Sequence, residues 1–456
     1  MMGRYKRGVT MLSPNRSLGA FSACDLAMGW GPTAVLALEF VGMAAYGRDM
    51  ISVVALVSAL VVLVTLVSPL SECLCIVFML VPYYQLLKIG GTEAETLLML
   101  VLALKMVLSN WHISKQGLIS GCVIAGYELA HLVALQAGFD SSVLKWTICL
   151  FLVLQLLAVY PGSFSVSKAV LLYGLSVAIF SFWAVVGNAG AEIDATTRQY
   201  LKYVDTLDQN TFGLYCLSAV VLLVNLAMRV RESRTKAVAA ITSAVCFVGG
   251  MLVLSKAYLL VFIVSIFFYL LVLCKKPMAL ICYMAFLLVA AAVLLNIPTV
   301  SNVVNSYVER LLLEGGSLSA FTTGRSDLLR EYIEYLFDPA HVLVLLFGAG
   351  LNTYFPLFGI VMRPHNSVIE LISAWGLVGV VLFVGLILWT TCSGSYFASE
   401  RSKPASHWIP LIAVLIMMQS LTLFYQYVTL FLLLLLTYEL LGQPEARTRE
   451  AYSDED

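Results

Sequence analysis

A chain of 456 residues that is 61% hydrophobic and only 12% charged, with a mean hydropathy of +0.92, lies far from the roughly 25% charged composition of a soluble domain. The 27 basic residues balance the 27 acidic ones, which argues against a nucleic-acid-binding surface. An all-α polytopic integral membrane protein is expected. At roughly 20 residues per span, about fourteen spans take some 280 residues and leave no room for a large soluble domain.

In chain order, residues 1–27 are polar and basic. They lack a short apolar region before a small-residue cleavage site, so no removed signal peptide is expected. Apolar runs of spanning length follow at about 30–46, 50–69, 72–88, 93–109, 116–137, 142–160, 165–187, 210–229, 236–254, 256–274, 278–296, 365–390, 408–424 and 426–442. The tight joints around Gly47 and Asp49, and around Ser68 and Ser71, carry turn residues suited to antiparallel neighbours. Residues 1–442 thus read as a single multi-span membrane domain. Residues 443–456 read as a cytoplasmic tail with a disordered acidic end, Ser453 to Asp456.

Charge placement gives the orientation. With the N-terminus inside, the cytoplasmic side collects Arg4, Lys6, Arg7, Arg16, Lys115, Lys168, Arg229, Arg231, Arg234, Lys236, Lys275, Lys276, Arg401, Lys403, Arg447 and Arg449, while the short outer joints hold only Arg48, Lys88 and Lys145. The positive-inside rule then puts both termini in the cytoplasm and the long loops outside.

Two outer segments are long. The first, 188–209, carries Arg198 and Lys202; the second, 297–364, carries Arg310, Arg325, Arg330 and Arg363. The second exceeds what a connector needs, and such loops tend to carry function. Within it, 326–337 places Leu329, Ile333, Leu336 and Phe337 at helical spacing opposite Asp327, Arg330, Glu331 and Glu334. An amphipathic helix at the membrane surface is expected there. The apolar stretch 341–347, before Gly348-Ala349-Gly350, predicts packing back onto the bundle.

Few residues in this chain can carry chemistry. Arg363-Pro364-His365-Asn366 opens the twelfth predicted span. Pro364 can start a helix and Asn366 can cap one. Alternatively, a rigid turn holds His365 at the surface, where an imidazole can take a proton from a substrate hydroxyl. Lys256 follows Ser255 at the outer mouth of the tenth span; it either snorkels or binds phosphate. Asp208-Gln209-Asn210 opens the eighth span and reads as an N-cap. Glu128 and His131, one turn apart, are candidates for a buried hydrogen-bonded pair, and Glu39 lacks an evident partner. The ten cysteines are scattered through apolar runs and suggest neither disulfides nor a zinc site. No carboxylate cluster in the outer segments suggests a divalent metal.

Several of these residues together carry a resemblance. Gly324-Arg325-Ser326, Leu346-Phe347-Gly348-Ala349-Gly350, and Pro364-His365-Asn366 followed after nine residues by Gly376-Leu377-Val378-Gly379 resemble the signature region of the bacterial O-antigen polymerase and ligase superfamily. Asp208-Gln209-Asn210-Thr211-Phe212 is similar to that family's Asn-Phe span start, and Ser255-Lys256 stands where members usually carry Ser-Arg. The resemblance covers about 205–390 by motif.

It implies a GT-C-like membrane glycosyltransferase in the bacterial cytoplasmic membrane. Such an enzyme acts on the outer face upon undecaprenyl-pyrophosphate-linked glycan, without cofactor or required metal. His365 would activate the acceptor hydroxyl, and Arg325 and Lys256 would hold the pyrophosphate. Arg363, Arg330, Asn366 and Asn210 complete the expected binding set. Implied partners are the lipid-linked oligosaccharide, membrane lipid, a chain-length regulator and a flippase. A polysaccharide repeat-unit polymerase is the first expectation and a ligase of the same superfamily the second. A lipid-linked oligosaccharide flippase, the reading from another class, would be expected to show repeated halves and midplane charges.

Overall fold

The computed structural model of the chain describes residues 28–89, 92–109, 112–135, 141–159, 164–187, 208–252, 255–274, 278, 281, 296, 298–313, 322, 324–351, 358–360, 362–393, 405–421 and 426–441. The helices are α1 (Trp30–Tyr46), α2 (Ile51–Val67), α3 (Leu70–Leu80), α4 (Ala94–Leu108), α5 (Lys115–Ala134), α6 (Ser141–Ala158), α7 (Val166–Gly187), α8 (Gln209–Arg229), α9 (Ser233–Leu252), α10 (Lys256–Leu273), α11 (Pro298–Leu313), α12 (Arg325–Phe337), α13 (Val342–Phe347), α14 (Ser367–Ser393), α15 (Ile409–Met417) and α16 (Val428–Leu441). A two-residue antiparallel pair, β1 (Lys88–Ile89) and β2 (Thr92–Glu93), joins α3 to α4. The molecule is an all-α membrane protein, and six described helices, α5, α6, α7, α8, α9 and α14, are long and apolar enough to cross a bilayer. The eleventh predicted span, 278–296, falls almost entirely outside the described residues.

These helices are apolar around their whole circumference, which suits a hydrocarbon solvent on one side and protein on the other. Ile51, Val107, Val133 and Val381 are 70–80% exposed, an arrangement that water would penalise and lipid does not. The interior is organised around α8. Of its span, 83% is buried, against 28% for α9 and 33% for α5. Close approach needs small residues here: a Cβ on Gly174 of α7 would lie 2.6 Å from Leu223 Cδ1 of α8. Buried hydroxyls are satisfied across helices, with Tyr173 Oη 2.7 Å from Ser218 Oγ and Tyr269 Oη donating to the Val221 carbonyl at 2.8 Å. Glu39, for which the sequence suggests no partner, accepts a hydrogen bond from Ser176 Oγ at 3.0 Å. At the far end of α8, Arg229 pairs with the fully buried Glu439, which also accepts from Asn225.

The long segment 297–364 differs from expectation in one respect. It contains α11, opened by Pro298 at the first helical position, where the sequence pattern predicts only loop. The amphipathic helix is present as α12, but its buried face is Leu328, Tyr332, Tyr335 and Leu336. Ile333 and Phe337 are exposed. The aromatic residues decide this. Tyr332 donates to the Met362 carbonyl at 2.8 Å, and Tyr335 stacks between His341 and Phe358 at 3.9 and 4.0 Å. The stretch after it forms α13, which packs Val344 and Leu345 against the core.

Candidate functional site

The site is built at the head of α14. His365 has φ +46°, a left-handed conformation that a non-glycine residue keeps only where its surroundings hold it. Those surroundings are explicit. Asn366 Oδ1 caps α14 by accepting from the Val368 and Ile369 amides, each at 3.0 Å, and its Nδ2 donates to the Gln419 carbonyl at 3.2 Å. Ser367 Oγ donates to the Leu421 carbonyl at 3.0 Å. One turn along, the buried Glu370 carboxylate lies 3.8 Å from Arg363.

The end of α15 supplies a ledge of carbonyls for two candidate residues. Arg325, the first residue of α12, donates from Nη1 to the Ser420 carbonyl at 3.0 Å. Gly324 before it has φ +76°, a turn that glycine makes without steric cost. Thr322 Oγ1 accepts from the Ser326 amide at 3.1 Å and so closes the start of α12. Three segments far apart in sequence, 324–326, 365–367 and 419–421, therefore meet at one point.

The starts of α8 and α10 complete the surround. Asp208 Oδ1 accepts from the Asn210 and Thr211 amides at 2.6 and 3.4 Å, as the N-cap reading expects. The buried Asn210 accepts from Ser255 Oγ at 2.8 Å, which pins the head of α8 to the head of α10. Lys256 is the first residue of α10, next to that pin. Asp208 also acts on His365 through charge. The imidazole is held below its usual value of 6.5 by burial and then by the Arg325 cation, with Asp208 pulling the other way. At neutral pH His365 is thus an uncharged imidazole, the form that accepts a proton.

A second contact network lies below this head. α14 is broken at Gly376, whose φ is +65° and ψ 177°. Gly348, at φ +81°, packs into the break, and a Cβ on it would sit 2.3 Å from the Ala374 carbonyl oxygen. The Ala349 and Gly350 amides donate to the Ser373 and Ala374 carbonyls at 2.9 and 2.7 Å. Here the two glycine motifs find their physical reason: one closes against the helix end that the other opens. From α5, Tyr127 Oη lies 2.8 Å from the Phe347 carbonyl and 2.7 Å from that of Trp375. His131 Nε2 lies 2.7 Å from the Phe347 carbonyl, and Glu128 accepts from the Trp375 indole. Glu128 and His131 thus do not pair with each other, because each reaches across to a different element.

Of the expected binding residues, Arg325, Asn366, Asn210 and Lys256 gather around His365 or the helix heads beside it. Arg363 is committed to Glu370. Arg330 stands apart on the outer face of α12, 3.6 Å from Glu334 in a pair whose side chains are both 70% exposed. Neither the carbonyl ledge at 419–421 nor the roles of Tyr127 and Trp375 are foreseen from the sequence. A glycine pair inside an apolar span was the available sign of a helix break. Among the described residues, no three His, Cys, Asp or Glu side chains come together as metal ligands. Compared with known proteins, the chain matches no family model and no curated protein.

Proposed function

We propose that the chain is a polysaccharide repeat-unit polymerase, a GT-C-like glycosyltransferase of about fourteen spans with both termini in the cytoplasm. It acts on undecaprenyl-pyrophosphate-linked glycan at the outer face of a bacterial cytoplasmic membrane. The observation that carries this reading is the meeting of His365 and Arg325, 40 residues apart in sequence, beside the 419–421 carbonyls and the head of α8. A neutral imidazole beside a guanidinium, at the end of a helix bundle, is the equipment a metal-free glycosyl transfer needs.

In the proposed reaction His365 takes the proton of an acceptor sugar hydroxyl. The oxygen attacks the anomeric carbon of the lipid-linked glycan and forms the new glycosidic bond. The bond from that carbon to the pyrophosphate oxygen breaks, and the lipid pyrophosphate leaves with the electron pair. Arg325 and Lys256 stabilise the departing charge, an interaction that a low-dielectric site makes stronger than in water. Arg325 commits one donor to the Ser420 carbonyl, which fixes the plane that a guanidinium presents to phosphate oxygens. An apolar groove lined by Ser265, Phe268, Trp408, Ile412 and Ile416 runs between α10 and α15. Its Ile416 end is one turn from Ser420, a suitable path for a prenyl chain.

The test is reconstitution of the purified protein in liposomes with a lipid-linked repeat unit. A ladder of glycan lengths with release of undecaprenyl pyrophosphate is the expected result. Transfer only to a lipid A core acceptor would identify a ligase, and movement of the lipid across the bilayer without any new bond would identify a transporter.

A further inference from the structure

The first part of α14, Ser367 to Trp375, is held at both ends by different means. At the head, Asn366 and Ser367 are tied to the 419–421 carbonyls. At the foot, Gly376 interrupts the helix, which leaves terminal carbonyls that must find donors from outside. The Ser373 and Ala374 carbonyls are taken by the Ala349 and Gly350 amides. The Trp375 carbonyl is taken by Tyr127 Oη, and the Phe347 carbonyl at the end of α13 by His131 Nε2. Glu128 holds the Trp375 indole, which is packed edge-on against Trp146 at 5.1 Å and Phe383 at 4.8 Å. Gly379 has no side chain, which lets α5 come this close: a Cβ there would sit 2.7 Å from Tyr127 Cε1.

A half-helix with a break at its foot is free to swing or rotate unless something fixes that foot. Rotation about its axis would carry along His365, which is joined to its head through Asn366. We propose that Tyr127 and Glu128 of α5 are positioning residues for His365. They lock the foot of the half-helix, so that the imidazole at its head keeps one orientation toward Arg325 and the heads of α8 and α10. The proposal rests on the transferase reading for its consequence in turnover, but the positioning itself does not depend on that reading. It also accounts for the Gly348-Ala349-Gly350 and Gly376 to Gly379 motifs, which build the joint that α5 clamps.

The experiment compares Tyr127→Phe, Glu128→Ala and Glu128→Gln in the full chain reconstituted in liposomes. Two readouts are taken. The first is the rate at which diethylpyrocarbonate modifies His365, resolved by mass spectrometry and referred to the exposed His112. The second is turnover and KM for lipid-linked donor. Tyr127→Phe and Glu128→Ala are expected to change the relative His365 rate by about threefold or more, and to lower turnover on the order of 10- to 100-fold with KM held within about twofold. Glu128→Gln keeps an oxygen for the Trp375 indole, so both readouts should stay within about twofold of the parent. An unchanged His365 modification rate in folded Tyr127→Phe and Glu128→Ala would overturn the proposal. If His365→Ala proves fully active, the base assignment falls, and the modification rates still decide whether α5 sets the imidazole.

Discussion

At His365, charge and conformation act on the same side chain. Burial and Arg325 lower its proton affinity while Asp208 raises it, so the neutral base is lost only when the pH falls through a value below the ordinary 6.5. The sign of each neighbour gives a prediction. Arg325→Gln removes a cation, raises the imidazole's proton affinity and should move the acid limb of kcat to higher pH. Asp208→Asn, which still caps α8, should move that limb to lower pH. Limbs that stay in place in both variants would show that the titrating group is not His365. The same two residues should fail differently when truncated. His365→Ala is expected to cost about 10²–10⁴ in single-turnover rate with donor binding intact. Arg325→Ala should weaken both, at roughly 1.5–3 kcal/mol for each charge-assisted hydrogen bond lost, and Arg325→Lys should recover part. Donor binding and single-turnover rates on purified, folded variants decide it.

Among the elements, α14 shows how a glycine motif becomes a joint. Gly376 combines a left-handed φ with backbone atoms of Leu346 and Phe347 only 2.4 Å from where a Cβ would stand. Gly376→Ala therefore adds the left-handed penalty of about 1–2 kcal/mol to an overlap that only backbone movement relieves. A loss of at least about 2 kcal/mol in stability is expected. Gly385 lies in the same helix with nothing within 4 Å of its missing Cβ. Gly385→Ala should be neutral, or stabilising by up to about 1 kcal/mol from helix propensity. Denaturation midpoints of the two variants in one detergent test the contrast; equal midpoints would mean that the break is not a packing requirement. α12 makes the opposite point, since periodicity found the helix and the tyrosines chose its buried face.

For the whole molecule the decisive question is which end faces out. The distribution of Lys and Arg predicts that 297–364 is outside, and the His365 cluster lies at the helix ends adjoining that segment. In a cysteine-free background, single cysteines at the exposed positions Glu334 and Asp338 should react with an impermeant thiol reagent in intact cells. Cysteines introduced in the 231–236 joint should react only after lysis. The reverse pattern would invert the topology and put the candidate site in the cytoplasm, where the proposed reaction does not belong.

Composition alone determined that this is a helical membrane protein, because hydrophobicity at span length admits few other structures. Position alone brought His365 and Lys256 forward, because ionisable groups at the ends of apolar runs stand out against so plain a background, whereas Arg325 and Asn210 entered as binding residues only through the family resemblance. Other features were decided only by tertiary structure. The carbonyl ledge at 419–421 is backbone and leaves no trace in residue type. The face of α12 depended on where Met362 and Phe358 stand. Glu128 and His131 share a helix face one turn apart, which made them look like partners, yet the Trp375 indole and the Phe347 carbonyl offered each a better one. A sequence shows which groups are costly to bury, and only the fold shows which neighbour meets that cost.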